Sequence, residues 1–183
     1  KKNGLCGEQG RELDNEMFRA AFRCEQLEHE LKKICGTLEK ARIPFIPLKG
    51  SVLRRYYPEP WMRTSCDIDV FVREADLDRA MEALSENLSY RIGEISDHDV
   101  QIYTPNGQHI ELHRNLIEDH RINLAAEVLA AVWDTAIPHS GWTYWLEMPD
   151  ELFYFYHIAH KEAQREGTPR RHEGRRGNYG ARS

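Results

Sequence analysis

The sequence predicts an α+β domain in which helices flank a small mixed β-sheet. Apolar residues recur every three or four positions in some segments and every second position in others, which are the periods of helices and strands. Helical and strand segments follow one another along the chain, and most of the strands lie in its middle part, as is typical of the α+β class. At 183 residues, the chain is long enough to bury one hydrophobic core.

A long amphipathic helix is predicted over residues 11–41. The helical spacing of its apolar residues stops before Pro44, since proline cannot continue a helix. Glu and Lys crowd the remaining positions, so we expect the polar face to be solvated. The apolar stripe comprises Leu13, Met17, Ala20, Cys24, Leu27, Leu31, Ile34, Leu38 and Ala41.

Shorter strands and helices follow the long helix. Prolines bound the first strand, which is therefore brief. Asn106-Gly107 predicts a tight turn between two later strands, and Pro149 suits the first turn of the last helix. In chain order, these elements are strand 44–48, helix 52–57, strand 67–72, helix 74–88, strands 90–95, 100–104 and 108–113, helix 122–133, strand 142–147 and helix 149–165.

The chain divides into four predicted parts. An N-terminal helical segment covers residues 1–42, a core with the polar motifs covers 43–115, and a C-terminal helical part covers 116–166. The last part, 167–183, is rich in Gly and Arg and has almost no apolar residues. Because such a segment cannot bury enough apolar surface to fold, we expect a disordered basic tail.

Composition and charge argue against several classes of protein. A net charge of −5 disfavours broad electrostatic binding to nucleic acid. No apolar run reaches the roughly 18–20 residues that a membrane span needs, and no signal peptide opens the chain. The four cysteines show neither CxxC pairs nor metal-finger spacing, which indicates free thiols in a reducing compartment. We therefore expect a cytoplasmic protein with no membrane partner.

Two aspartates begin the strand at 67–72. Successive side chains of a strand point to opposite faces, so Asp67 and Asp69 share one face while Ile68 and Val70 turn to the core. Two carboxylates about 7 Å apart along a strand repel each other unless a cation lies between them. Magnesium prefers such hard oxygen ligands and shares them with substrate phosphates. Acids on an exposed strand are the alternative interpretation.

A turn that suits phosphate binding lies one strand earlier. Gly50 lets the backbone approach a phosphate closely, and the helix that follows offers unpaired N–H groups. The Ser51 hydroxyl adds a donor, and Lys49 supplies a positive charge for a triphosphate. A purely structural turn is the alternative.

A third candidate acid lies on the strand at 108–113. Alternation places Glu111 on one face together with His109 and His113. Glu111 is then a candidate third metal ligand that helps to activate an acceptor hydroxyl. The His-x-Glu-x-His pattern also fits zinc, although the acid pair on the other strand favours magnesium.

In their order, these motifs are similar to the polymerase-beta-like nucleotidyltransferase superfamily. The chain resembles more narrowly the uncharacterised bacterial nucleotidyltransferase family proteins over residues 43–113. The shared motifs are Pro47-Leu48-Lys49-Gly50-Ser51, Tyr56-Tyr57-Pro58, Arg63, Asp67-Ile68-Asp69-Val70-Phe71-Val72 and Glu111-Leu112-His113, with a fainter extension through His157-Ile158-Ala159-His160.

The resemblance implies a metal-dependent nucleotidyltransferase that moves a nucleoside monophosphate from a nucleoside triphosphate to an acceptor hydroxyl. It implies that Asp67, Asp69 and Glu111 hold Mg²⁺, or Mn²⁺ in its place. It also implies that the triphosphate lies against the Lys49-Gly50-Ser51 turn and Arg63. The acceptor stays open among a small molecule, a sugar, a protein and an RNA end. The alternative function is a non-catalytic relative of the same fold that binds nucleotide or protein through an incomplete pocket.

Overall fold

A computed structural model describes residues 7–117 and 123–167 of the chain. The predicted disordered tail lies outside the described residues, except for Gly167, where the last helix ends. The helices are α1 (Gly7–Lys40), α2 (Gly50–Leu53), α3 (Leu77–Leu88), α4 (Asn123–Ala130), α5 (Val132–Thr135) and α6 (Asp150–Gly167). The strands are β1 (Phe45–Pro47), β2 (Asp67–Val72), β3 (Arg91–Ile95), β4 (Asp99–Tyr103), β5 (His109–His113), β6 (Ile137–Pro138) and β7 (Leu146–Glu147).

Five strands form one mixed sheet in the order β1-β2-β5-β4-β3. The β2–β5 pair is parallel, and the other neighbours are antiparallel. The predicted α+β class with a small mixed sheet is therefore confirmed. The predicted strand at 142–147 begins as a loop that the Glu39 carboxylate fixes through backbone N–H groups. Trp145 then forms an isolated bridge with Phe45 of β1, and Leu146 and Glu147 pair with β6.

One face of the sheet packs against α1 and α3. Alternate residues of β2, Ile68, Val70 and Val72, join the side chains of both helices in this core. The long helix has its buried stripe only in its second half, because the first half extends beyond the sheet. Leu13 and Met17, which the spacing placed on the stripe, are 46% and 40% exposed.

The other face of the sheet is divided in two. At one end, Phe71 packs with Tyr156 of α6 and with residues of α4 and α5 in a second apolar cluster. At the other end, the residues before Phe71 on this face are Asp67 and Asp69, which line a polar cleft. Within the described part of the chain, no helix is both long and apolar enough to span a membrane.

Candidate active site

A polar cleft of about 710 Å³ opens over the acidic end of the sheet. Six of the seven residues predicted as site residues line it together: Lys49, Gly50, Arg63, Asp67, Asp69 and Glu111. They come from the turn before α2, the loop before β2, and the strands β2 and β5. Residues of α6 form another wall of the same cleft.

The three carboxylates lie on one face of the sheet because β2 and β5 run parallel in register. Asp69 is paired with Glu111, and Asp67 with His109, so alternation places all four side chains on one face of the sheet. Glu111 belongs to two groups of potential metal ligands. Within each group, the ligand atoms lie within 4.8 Å of one another. One group adds Asp69 and His113, and the other adds Asp67 and His109. The predicted zinc set of two histidines and Glu111 is thus split between two groups.

Lys49 places a positive charge between two of these acids. Its Nζ lies 2.8 Å from Asp69 Oδ1 and 3.4 Å from Glu111 Oε2. Burial opposes the charged form, but both carboxylates outweigh it and raise the pKa of Lys49. The backbone of Lys49 has a φ of 43°, which is uncommon for a residue with a side chain. This conformation ends β1 sharply and turns the lysine over the sheet.

The buried His113 side chain contacts both Asp69 and Glu111. Its Nε2 lies 3.0 Å from Asp69 Oδ1 and 3.3 Å from Glu111 Oε2, and the residue is only 4% exposed. Burial disfavours the imidazolium, but hydrogen bonds to the two acids outweigh this effect and raise the pKa of His113. Sequence reasoning placed His113 on the correct face without assigning it this contact, which depends on the unpredicted pairing of β5 with β2.

Glu111 is held in its ionised form. The hydrogen bond with His113 lowers the pKa of Glu111, and the positive charge of Lys49 lowers it further against the effect of burial. A carboxylate that stays deprotonated at neutral pH is a suitable cation ligand and hydrogen-bond acceptor.

Gly50 is required by close packing. A Cβ at this position would lie 2.7 Å from Ser65 Oγ and 2.8 Å from Ser65 Cβ. The buried Arg54 holds Ser65 in place by donating from Nη2 to its Oγ over 2.6 Å. The glycine therefore joins the turn before α2 to the loop that leads into Asp67.

Ser51 turns away from the cleft. Its side chain lines a neighbouring cavity of about 150 Å³ beside Arg55 and Trp145. The Ser51 hydroxyl is buried and has no hydrogen-bond partner among the described residues, and its backbone N–H bonds to the Leu48 carbonyl. The structure thus brings Gly50, but not the Ser51 side chain, to the predicted phosphate site.

Basic and imidazole side chains form the remaining wall. Arg63 lines the cleft from the loop before β2, and its Nη1 donates to the Thr64 carbonyl. His157, His160 and Lys161 of α6 also line the cleft. Burial, followed by the charges of Arg63 and Lys49, lowers the pKa of His157. In the sequence, His157 and His160 belong only to the fainter extension of the resemblance, although their three-residue spacing on a helix places them on one face.

Comparisons with known proteins relate the chain to one family and to a few solved structures. A family model described as uncharacterised nucleotidyltransferase matches residues 5–171. A search of curated proteins gives no significant match. The crystal structure of ANT(2")-Ia in complex with adenylyl-2"-tobramycin is similar, with a TM-score of 0.51 and 17% identity over 79% of this chain and 82% of that chain. At that identity, the likeness concerns the fold.

Two further solved structures are similar at lower scores. The solution structure of the antibiotic-resistance factor ANT(2'')-Ia has a TM-score of 0.44 and 14% identity, and the match covers 79% of this chain and 87% of that chain. JHP933 from Helicobacter pylori has a TM-score of 0.37 and 17% identity, and the match covers 74% of this chain and 54% of that chain.

Proposed function

The chain belongs to the family of uncharacterised nucleotidyltransferases, and we propose that it transfers a nucleoside monophosphate from a nucleoside triphosphate to an acceptor hydroxyl in a Mg²⁺-dependent reaction. One observation carries the proposal: three carboxylates from two parallel strands converge in a cleft that also presents Lys49 and Arg63. An acidic floor beside basic side chains suits a metal-bound polyphosphate.

The residues of the cleft fit a divalent cation of the magnesium type. Asp67, Asp69 and Glu111 offer hard oxygen ligands, with Mn²⁺ as an alternative ion, and a Glu111 oxygen lies within 4.8 Å of a ligand atom of each aspartate in one of the two groups. The Lys49 ammonium lies between Asp69 and Glu111, which supports a cation position there. Bound Mg²⁺ would neutralise the charge that develops on the transferring phosphate and the leaving pyrophosphate.

The acceptor oxygen attacks the α-phosphorus, the bond to the bridging oxygen breaks, and pyrophosphate leaves. Glu111 accepts a hydrogen bond from the attacking hydroxyl and so orients it. The contacts that lower the pKa of Glu111 make it a weak base, so it positions the hydroxyl rather than deprotonating it in advance, and the proton passes to solvent.

Lys49 changes partners in this proposal. Without substrate, its ammonium compensates Asp69 and Glu111. A metal ion held by these acids would repel the Lys49 ammonium, which would then be available to bind the triphosphate together with Arg63. Gly50 keeps the intervening backbone close to the loop that carries the acids. The sequence-based role of the Ser51 hydroxyl at the phosphates needs a side-chain movement out of its cavity.

The acceptor stays open in class among a small molecule, a sugar, a protein side chain and an RNA end. The structure of ANT(2")-Ia contains adenylyl-2"-tobramycin, which makes an aminoglycoside-like amino sugar one acceptor to test.

A non-catalytic relative is the second candidate. The observation that favours it is the same lysine contact, because an ammonium that neutralises two acids can replace a metal structurally. In that case the cleft would bind nucleotide or protein without turnover.

Incubation with each isotopically labelled triphosphate and Mg²⁺, followed by mass spectrometry of the products and of the protein, tests the proposal. Pyrophosphate release with a nucleotidylated product is the expected result. Nucleotide binding without any release, in a folded protein supplied with each acceptor class, would favour the non-catalytic candidate.

A further inference from the structure

A third group of potential metal ligands lines the cleft and contains none of the three carboxylates of Asp67, Asp69 and Glu111. It consists of His98, Asp99 and His113, whose potential ligand atoms lie within 4.8 Å of one another. His113 comes from β5, and Asp99 is its direct neighbour on β4. All three residues line the cleft, so an ion has a path from solvent.

The loop that carries His98 and Asp99 is fixed by hydrogen bonds. Arg114 donates from Nε to the Asp97 carbonyl over 3.0 Å and from Nη2 to the Ser96 carbonyl over 2.6 Å. Its backbone N–H donates to the His98 carbonyl over 2.8 Å. A ligand loop that is ordered before binding loses less entropy when an ion binds, so its affinity is higher.

Ser96 orients both nearby ligands. Its hydroxyl donates its single proton to Asp99 Oδ1 over 2.6 Å, and it lies 3.2 Å from Nδ1 of His98. The same oxygen accepts hydrogen bonds from the backbone N–H groups of His98 and Asp99 over 3.3 and 3.0 Å. One hydroxyl therefore holds the backbone of both residues and contacts both side chains. A partner outside the ligand set that orients the ligands is a regular feature of metal sites.

The three side chains lie close together. His98 Nε2 lies 3.4 Å from Asp99 Oδ2, and the His113 ring centroid lies 5.9 Å from that of His98. Two imidazoles and one carboxylate form the donor set that zinc-type ions prefer, whereas Mg²⁺ prefers oxygen ligands alone.

We propose that His98, Asp99 and His113 form a binding site for one divalent transition-metal ion of the zinc type. This site lies beyond the proposed transfer reaction and does not depend on it. It leaves coordination positions on the cleft side for water or a substrate group. Because His113 also contacts Asp69 and Glu111, an ion at this site acts on the acid cluster through a shared side chain.

Titration of the whole chain with Co²⁺ in excess Mg²⁺ tests the site, with visible absorption as the measure of Co²⁺ binding and Zn²⁺ as the competitor. Wild type should bind one Co²⁺ that Zn²⁺ displaces. His98→Ala and Asp99→Asn should each lower the affinity by about tenfold or more, and Ser96→Ala by about tenfold. His29→Ala, which removes an exposed histidine of α1, should leave the affinity unchanged.

Asp67→Asn separates this site from the acid cluster. It removes a carboxylate that is not among the three ligands, so Co²⁺ binding should persist. Retained binding in His98→Ala together with loss in Asp67→Asn would place the ion at the acids and overturn the proposal. Absence of Co²⁺ and Zn²⁺ binding in folded wild type would overturn it as well. Neither result depends on nucleotidyl transfer. Product analysis tests the proposed function separately, so the two proposals can fail independently.

Discussion

The Lys49 ammonium lies 2.8 Å from the Asp69 carboxylate at the floor of the cleft. Asp69 is 5% exposed, so its charge depends on this lysine and on the His113 imidazole for compensation. The contact between Lys49 and Asp69 therefore couples the stability of the domain to the charge balance of the cleft.

Lys49→Met should destabilise the protein without metal by about 1–3 kcal/mol, because a buried carboxylate loses a charged partner. The same substitution removes a competing cation, so added Mg²⁺ should raise the melting temperature more in the variant than in wild type. Differential scanning calorimetry with and without Mg²⁺ measures both effects. Lys32→Met, on the exposed face of α1, should change neither. An equal Mg²⁺ response in the wild type and in Lys49→Met would show that the lysine does not occupy a cation position.

Two glycines provide opposite predictions. Gly50→Ala forces a Cβ to within 2.7 Å of Ser65 Oγ and should cost about 1–3 kcal/mol of unfolding free energy. Gly36→Ala lies in α1 with nothing within 4 Å of the new Cβ, and should stabilise by about 0.5–1 kcal/mol. Urea denaturation of both variants checks the signs. An unfolding free energy that Gly50→Ala leaves unchanged would mean that the loop carrying Ser65 moves aside at little cost.

His160 should make the protein less stable as the pH drops below the ordinary range of histidine. Burial, and then the charges of Lys49 and His113, lower the pKa of His160 from 6.5 to about 4. The unfolded chain therefore takes up this proton at a higher pH than the native protein, and unfolding becomes easier as the pH falls from about 6.5 to about 4. His160→Gln should make the pH dependence of the unfolding free energy shallower in this range. The unfolding free energy is measured by chemical denaturation at each pH. An unchanged pH dependence in His160→Gln would show that other groups cause the loss of stability.

Sequence reasoning succeeds here where the information is local. The two-residue period of strands correctly predicted that Asp67 and Asp69 share a face, and that Glu111 and His113 share a face, because alternation is a property of the backbone alone. The pairing of β2 with β5 then determined that these two faces are the same one. That pairing joins segments 42 residues apart and has no local signal.

Contacts between distant segments were not predictable in the same way. Lys49 was expected to meet a triphosphate, and its pairing with Asp69 depends on the exact turn after β1. The Ser51 hydroxyl was expected in the cleft, but the first turn of α2 directs it into a separate cavity. A helical residue points about 100° away from its neighbour, so an error of one position changes the site that its side chain lines.

Asp69→Asn tests the central claim most directly. The substitution keeps the size of the side chain and removes one charge from the cluster of Asp69, Glu111 and His113. The rate of Mg²⁺-dependent pyrophosphate release from a labelled triphosphate should fall by roughly 100-fold or more, because the site loses a ligand for the ion that stabilises the transition state. Asp78→Asn, an exposed charge change on α3, serves as the control and should keep the wild-type rate. Equal rates for the wild type and Asp69→Asn, with both proteins folded, would contradict the proposed metal site.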